Sequence, residues 1–298
     1  MAQANRVAIA LSVLALSCTD GGRPATAETS RSIDFSTNPN PVTLSQDGVE
    51  VTLQPIFDGE SDVEVVTSIR ADGFQSIITR EGVATSSSYI REVSVGKLSN
   101  TDPIPSVLLG GYTGGAHCCA TLQAIVPSAG KLKVIDFEPV DGEPNSLFPR
   151  DVDGDGTIDF IRQDDSFRYA FSSGAGSFSP PVIFNIYRGN LINVSDQPAY
   201  RQLWLSFAAE TFKVCSDRAD EDRNGACIAY AAAGARLGEF PTYLNRAVKN
   251  SVSGSDVQLP EGCKTELVAY ACPSGSEIKF FTFESAANWF LRKNGYIN

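Results

Sequence analysis

The chain has a single methionine, the initiator Met1, and a single histidine, His117. One imidazole cannot build the His-rich sets of a catalytic zinc site, and no His-Glu-x-x-His is present. Gly-x-Ser-x-Gly and the glycine-rich phosphate loop are also missing, which removes the common sequence signatures of serine hydrolases and nucleotide-binding enzymes. Basic residues are few, 24 against 35 acidic ones. With no basic patch to offset that balance, the surface repels nucleic acid and anionic membranes. After the N-terminal segment no apolar run is long enough to span a bilayer, so no membrane span is expected. A chain without methionine beyond Met1 suits an oxidising compartment.

Residues 1–27 read as an export signal. Arg6 gives a basic start, residues 7–17 are apolar but short, and Ala25-Thr26-Ala27 offers the small-x-small pattern of signal cleavage before Glu28. A lipoprotein signal acylated at Cys18 is the alternative. Cleavage leaves 271 of the 298 residues. Loss of Arg6, Asp20 and Arg23 leaves 22 basic and 34 acidic residues, a net charge of −12. The expected location is periplasmic or secreted. Six cysteines then remain, Cys118, Cys119, Cys215, Cys227, Cys263 and Cys272, an even number that reads as disulfides in an exported chain.

The pattern predicts an α+β fold, with an antiparallel β-rich, propeller-blade-like region followed by a disulfide-stapled, mainly helical C-terminal region. Residues 28–40 are polar and are expected to form a flexible lead-in. A β-rich domain is expected over 41–195, where short β-branched or aromatic runs alternate with Gly, Asp, Ser and Pro. The runs lie at 49–53, 63–69, 76–78, 89–95, 106–109, 122–126, 132–137, 158–161, 167–171, 182–187 and 191–194. No amphipathic crossover helix interrupts them, which favours antiparallel pairing. The segments 106–136 and 158–194 resemble one another at a period of about 50 residues, the size of a four-stranded blade; a generic meander is the alternative. The helical region covers 196–298. Its first helix starts at Pro198 with Ser195 or Asp196 as cap, and carries Tyr200, Trp204, Phe207, Ala208 and Phe212 on one face. Further helices are expected at 226–237, 241–248 and 283–293, the last capped by Thr282 and stopped at Gly295, with a hairpin between 267–271 and 278–281.

Residues 151–159 read Asp-Val-Asp-Gly-Asp-Gly-Thr-Ile-Asp. Alternating carboxylates in a glycine-punctuated loop are how a chain surrounds a hard dication with oxygen. Asp151, Asp153 and Asp155 fill positions 1, 3 and 5 of an EF-hand loop, Gly156 the sixth, Thr157 the seventh and Asp159 the ninth. The twelfth residue is Arg162 rather than Glu, and no helix enters the loop, so it is not an EF-hand. A calcium loop that ends at its ninth residue and continues as strand resembles those of FG-GAP and VCBS-type repeats, as in integrin-α-like propellers. The resemblance implies a structural calcium ion at Asp151, Asp153, Asp155, Thr157 and Asp159. The Phe-Gly…Gly-Ala-Pro signature of that family is missing and only one loop is present.

A second cluster runs from Gly110 to Cys119 and contains Tyr112, His117 and adjacent cysteines. Its Gly-Gly-Ala-His-Cys-Cys run is similar to that of uncharacterised exported bacterial proteins that carry Asp-rich loops. Three readings compete: a structural disulfide loop, a metal or redox site at His117 and a thiolate, and Cys nucleophilic catalysis with His117 as base. Cys215 with Cys227 and Cys263 with Cys272 are the local pairings, which leaves Cys118 with Cys119; pairs between the two regions are the alternative. Asp164-Asp165 and Asp220-Glu221-Asp222 read as solvated turns. The chain is therefore expected to be a monomeric, non-catalytic binding or structural protein of the cell envelope, with an envelope protein or a glycan as partner. The rival is a secreted hydrolase using acidic residues or the His117 loop.

Overall fold

The computed structural model describes residues 29–32, 40–57, 63–81, 90–112, 118–141, 149–254, 257–266 and 271–298. The export signal with Cys18, the polar lead-in apart from its short strand and Asn40, and His117 lie outside them.

Four antiparallel strands open the fold: β2 (Val42–Gln46), β3 (Val49–Phe57), β4 (Val63–Ala71) and β5 (Ile77–Glu81), paired in chain order. A second sheet holds β1 (Thr29–Ser32), β6 (Ile90–Gly96), β7 (Ser106–Tyr112), β8 (Cys118–Ser128), β9 (Lys131–Asp136) and β10 (Val140–Asp141), in the order β1-β6-β7-β8-β10 with β9 also on β8. A third has β11 (Phe160–Gln163), β12 (Pro181–Tyr187) and β13 (Asn190–Asn193). Three of the hairpins turn on two residues with positive φ, Asp47-Gly48, Ala129-Gly130 and Arg188-Gly189. That conformation matches the twist of the strands it joins.

The strands alternate, and the alternation stacks the sheets in layers. Val51, Leu53, Val65 and Ile69 of the first sheet pack on Val93, Val95, Val107, Leu109 and Ile125 of the second. Leu108, Ala124, Val126 and Ile135 point the other way and meet Phe160, Phe184, Ile186 and Leu191 of the third. The second sheet is thus covered on both faces, which is why β7 is buried almost without interruption. The opposite face of the third sheet gives Ile183 to the helical core, joined there by Val194.

That core is made by α1 (Arg201–Cys215), α2 (Asn224–Arg236), α3 (Phe240–Asn250) and α4 (Phe283–Lys293). α2 is buried from Asn224 to Gly234 and is rich in alanine. Small side chains let its neighbours approach from all sides: a Cβ on Gly234 would stand 2.2 Å from Cβ of Tyr243 in α3. Cys215–Cys227 ties α1 to α2, and Cys263–Cys272 closes the loop before α4, as the spacing suggested. Cys119 is also disulfide-bonded, to a partner outside the described side chains. Among the described residues no helix is long and apolar enough to cross a membrane.

The structure corrects several expectations. Residues 167–171 are not a strand. Asp164 caps a 3-10 turn at Asp165–Phe167, and Tyr169 is left-handed at φ 56°. Neither Ser195 nor Asp196 caps the first helix. Ser195 Oγ accepts from the Ile183 amide, and a 3-10 turn at Pro198–Tyr200 leads into α1. The small hairpin joins β14 (Gly262–Cys263) to β15 (Glu277–Ile278), and residues 267–270 lie outside the description. The acidic pairs are not simply solvated: Asp164 accepts from the Tyr296 hydroxyl, and Asp222 from the Ser173 amide.

Candidate metal centre

The Asp-rich loop lies where the second sheet, the third sheet and the helical region meet. It is wound by its own carboxylates. Asp151 accepts from the amides of Gly154 (2.7 Å) and Gly156 (2.8 Å), Asp153 from that of Asp155 (3.1 Å), and Asp155 from that of Thr157 (2.7 Å). Short acidic side chains bond the backbone two to five residues on, which suits them to tight turns. Gly156 has a φ of +89°, and a Cβ there would stand 2.7 Å from Asn100 Nδ2. The loop is pinned from outside by Ile158 N to Leu98 O (2.7 Å) and Asn100 N to Gly156 O (3.0 Å).

Asp159 is the anchor. It is 2 % exposed. Its Oδ2 accepts from the Val152 amide (2.7 Å), and its Oδ1 accepts from Asn185 Nδ2 (2.8 Å) on β12 and from the Tyr200 hydroxyl (2.5 Å) just before α1. A buried carboxylate needs this kind of donor set. Burial, with the Asp159 carboxylate beside it, raises the Tyr200 phenol well above its ordinary range and keeps it a donor.

Asp151, Asp153 and Asp159 each offer one carboxylate oxygen to a cluster in which the three atoms lie within 4.8 Å of one another. Two oxygens on one calcium ion stand no more than about twice 2.4 Å apart, a limit that each pair of these atoms meets. Burial, together with the charges of Asp155, Asp159 and Asp151, raises the Asp153 carboxyl. Among the described residues none of these carboxylates is ion-paired with Lys or Arg. Hard oxygen donors carrying unbalanced negative charge suit calcium or magnesium rather than a soft metal.

Of the five expected ligands, the structure brings together Asp151, Asp153 and Asp159. The Asp155 carboxylate is exposed and holds the Thr157 amide, and Thr157 itself bridges to Ser99. Asn185 and Tyr200 escaped the sequence reading because they reach the loop from 26 and 41 residues away. Tyr112 is buried at the end of β7; His117 and the Cys118 side chain lie outside the described part.

No family model matches the chain, and no solved structure matches it significantly. Two curated proteins do. A probable thylakoid lumen protein of Synechocystis is 29 % identical over 227 residues, covering 74 % of this chain and 65 % of that protein. An uncharacterized protein of Sinorhizobium fredii is 24 % identical over 263 residues, covering 86 % of this chain and 40 % of that one. The chain spans less than two thirds of the length of each.

Proposed function

We propose that this is a non-catalytic binding or structural protein of an extracytoplasmic compartment, whose Asp-rich loop holds one structural calcium ion in the manner of FG-GAP and VCBS loops. The clustering of one carboxylate oxygen each from Asp151, Asp153 and Asp159 within 4.8 Å carries the reading. Asp151 and Asp153 supply carboxylate from the loop, and Asp159 supplies it from the start of the following strand. Burial first, and then the charges of Asp155, Asp159 and Asp151, raise Asp153, and an ion there would offset both. Its chemistry would be structural: it would hold the loop against β12 and the entry to α1.

The compartment is supported by two further observations. A relative is described as a probable thylakoid lumen protein. The cysteines pair as disulfides, which persist outside reducing cytosol.

The test is thermal unfolding with disulfides intact, first in excess calcium and then with chelator. Calcium is expected to raise the midpoint, because a ligand that binds only the folded state stabilises it by mass action. Asp153→Ala, a partly exposed position, is expected to leave the chelated midpoint close to wild type and to abolish the calcium increment. An unchanged midpoint in calcium would make the segment a hydrogen-bonded turn and nothing more.

A further inference from the structure

A cavity of about 480 Å³, lined by no residue of the Asp-rich loop, opens between the turn at Ser166–Ala170, the segment 258–261 and α4. Its volume lies within the range of about 300–1,000 Å³ usual for small-molecule sites. We infer that it is a carbohydrate-binding site, taking a neutral hexopyranose unit of an oligosaccharide with Tyr169 as the stacking platform.

Tyr169 is the unusual residue here. It is non-glycine at φ 56°, a conformation that costs energy and persists only where its surroundings fix it. Its amide donates to Ser177 Oγ (2.9 Å), and its carbonyl accepts from Gln258 Nε2. Gly174 has no side chain where a Cβ would stand 2.7 Å from the outer ring atoms of Tyr169. The phenol is therefore backed by bare backbone on one side, yet it remains 53 % exposed on the cavity wall. A core aromatic would be buried, and an adventitious surface one would not need a strained backbone held at both ends.

The other lining groups select the ligand class. Trp289 has the Lys293 ammonium 4.9 Å from its ring centroid and Phe280 at 5.3 Å, which fixes its orientation at the cavity edge. Arg168 also lines the cavity, but its guanidinium is 3.0 Å from the Asp141 carboxylate, so its charge is already answered. Glu261 and Lys293 both line the cavity. Opposed charges disfavour a simple anion or cation, and the number of polar groups disfavours an apolar ligand. A neutral polyhydroxylated ring fits both: its C–H face stacks on an aromatic ring, and its hydroxyls donate to Glu261 and accept from Lys293.

The inference rests on the binding reading above but not on the calcium loop, and the two fail separately. The test uses the full, calcium-saturated chain titrated with cellobiose, maltose and N,N′-diacetylchitobiose, read by intrinsic fluorescence. Of the two tryptophans, Trp204 is 1 % exposed, so a ligand-dependent change reports Trp289. At least one disaccharide is expected to give a saturable change. Tyr169→Gly, which removes the ring and relieves the positive φ, is expected to weaken that binding about tenfold with the thermal midpoint kept. Glu261→Gln is expected to weaken it several-fold, at a surface position where folding is not at stake. No saturable change with any of the three, or Tyr169→Gly binding as tightly as wild type, overturns the inference. A calcium-dependent midpoint alongside failed sugar binding would remove the cavity site alone.

Discussion

At the scale of single residues, Tyr200 and Gly156 show how the loop is held. The Tyr200 hydroxyl is buried and bonds a carboxylate, and hydrogen bonds to charged groups contribute about 1.5–3 kcal/mol. Tyr200→Phe should lose stability of that order by chemical denaturation, with little change in calcium affinity, because Asn185 still donates to the same oxygen. A loss below a few tenths of a kcal/mol would show that water replaces the hydroxyl. Gly156→Ala meets two costs, the left-handed backbone at about 1–2 kcal/mol and the collision with the Asn100 amide. The same change made in an Asn100→Ala background should recover only the second part. The carboxylates were legible in the sequence because all of them lie within nine consecutive residues, where spacing alone carries the chemistry. Asn185 and Tyr200 were not, since only the packing of β12 and α1 brings them to Asp159.

At the scale of elements, the antiparallel strands and the four helices were legible from period and punctuation, and the local disulfides from spacing. What escaped was conformation set from outside the segment. Residues 167–171 have the aromatic content of a strand, but Asp164 caps a 3-10 turn that ends at Phe167, so Phe167 and Phe171 enter the helical core from backbone that is not extended strand. α2 makes the same point energetically. In an exposed helix Gly→Ala gains about 0.5–1 kcal/mol. Gly234→Ala should instead lose about 1–3 kcal/mol, because the added methyl overlaps Cβ and Cγ of Tyr243 and α3 must shift to admit it. A higher denaturant midpoint for Gly234→Ala would mean that α3 is not held that closely. Cys215–Cys227 ties α2 to its other neighbour, α1. It closes a loop of 12 residues, and opening it should cost about 3 kcal/mol.

At the scale of the whole molecule, the layers are joined through an acidic seam, and its response to protons should reverse when calcium is present. Asp153 is raised from 3.8 chiefly by burial and then by neighbouring carboxylates; Asp102 and Asp165 are raised in the same direction, again chiefly by burial. A carboxyl whose folded pKa lies above its unfolded value holds its proton more tightly when folded. Its contribution is fully present below the unfolded pKa and is lost as pH rises through the folded one. With chelator, these three groups should therefore stabilise the fold as pH falls toward about 4, against the opposing trend of carboxylates held by hydrogen bonds. Calcium needs the deprotonated carboxylates, so its stabilising increment should be largest near neutral pH and vanish as Asp151, Asp153 and Asp159 protonate. The midpoint difference between calcium and chelator, measured from about pH 7 down to about pH 4, should close steadily, and in Asp153→Ala it should be flat throughout. An increment that persists unchanged at the acid end would place the bound ion elsewhere than on these carboxylates. The seam joins all three contributors, the 98–100 segment, β12 and the entry to α1, through Ile158, Asn185 and Tyr200. Calcium loss should accordingly loosen the helical region as well as the loop, and amide exchange of α1 should rise on chelation, transmitted through the Tyr200 hydroxyl on Asp159.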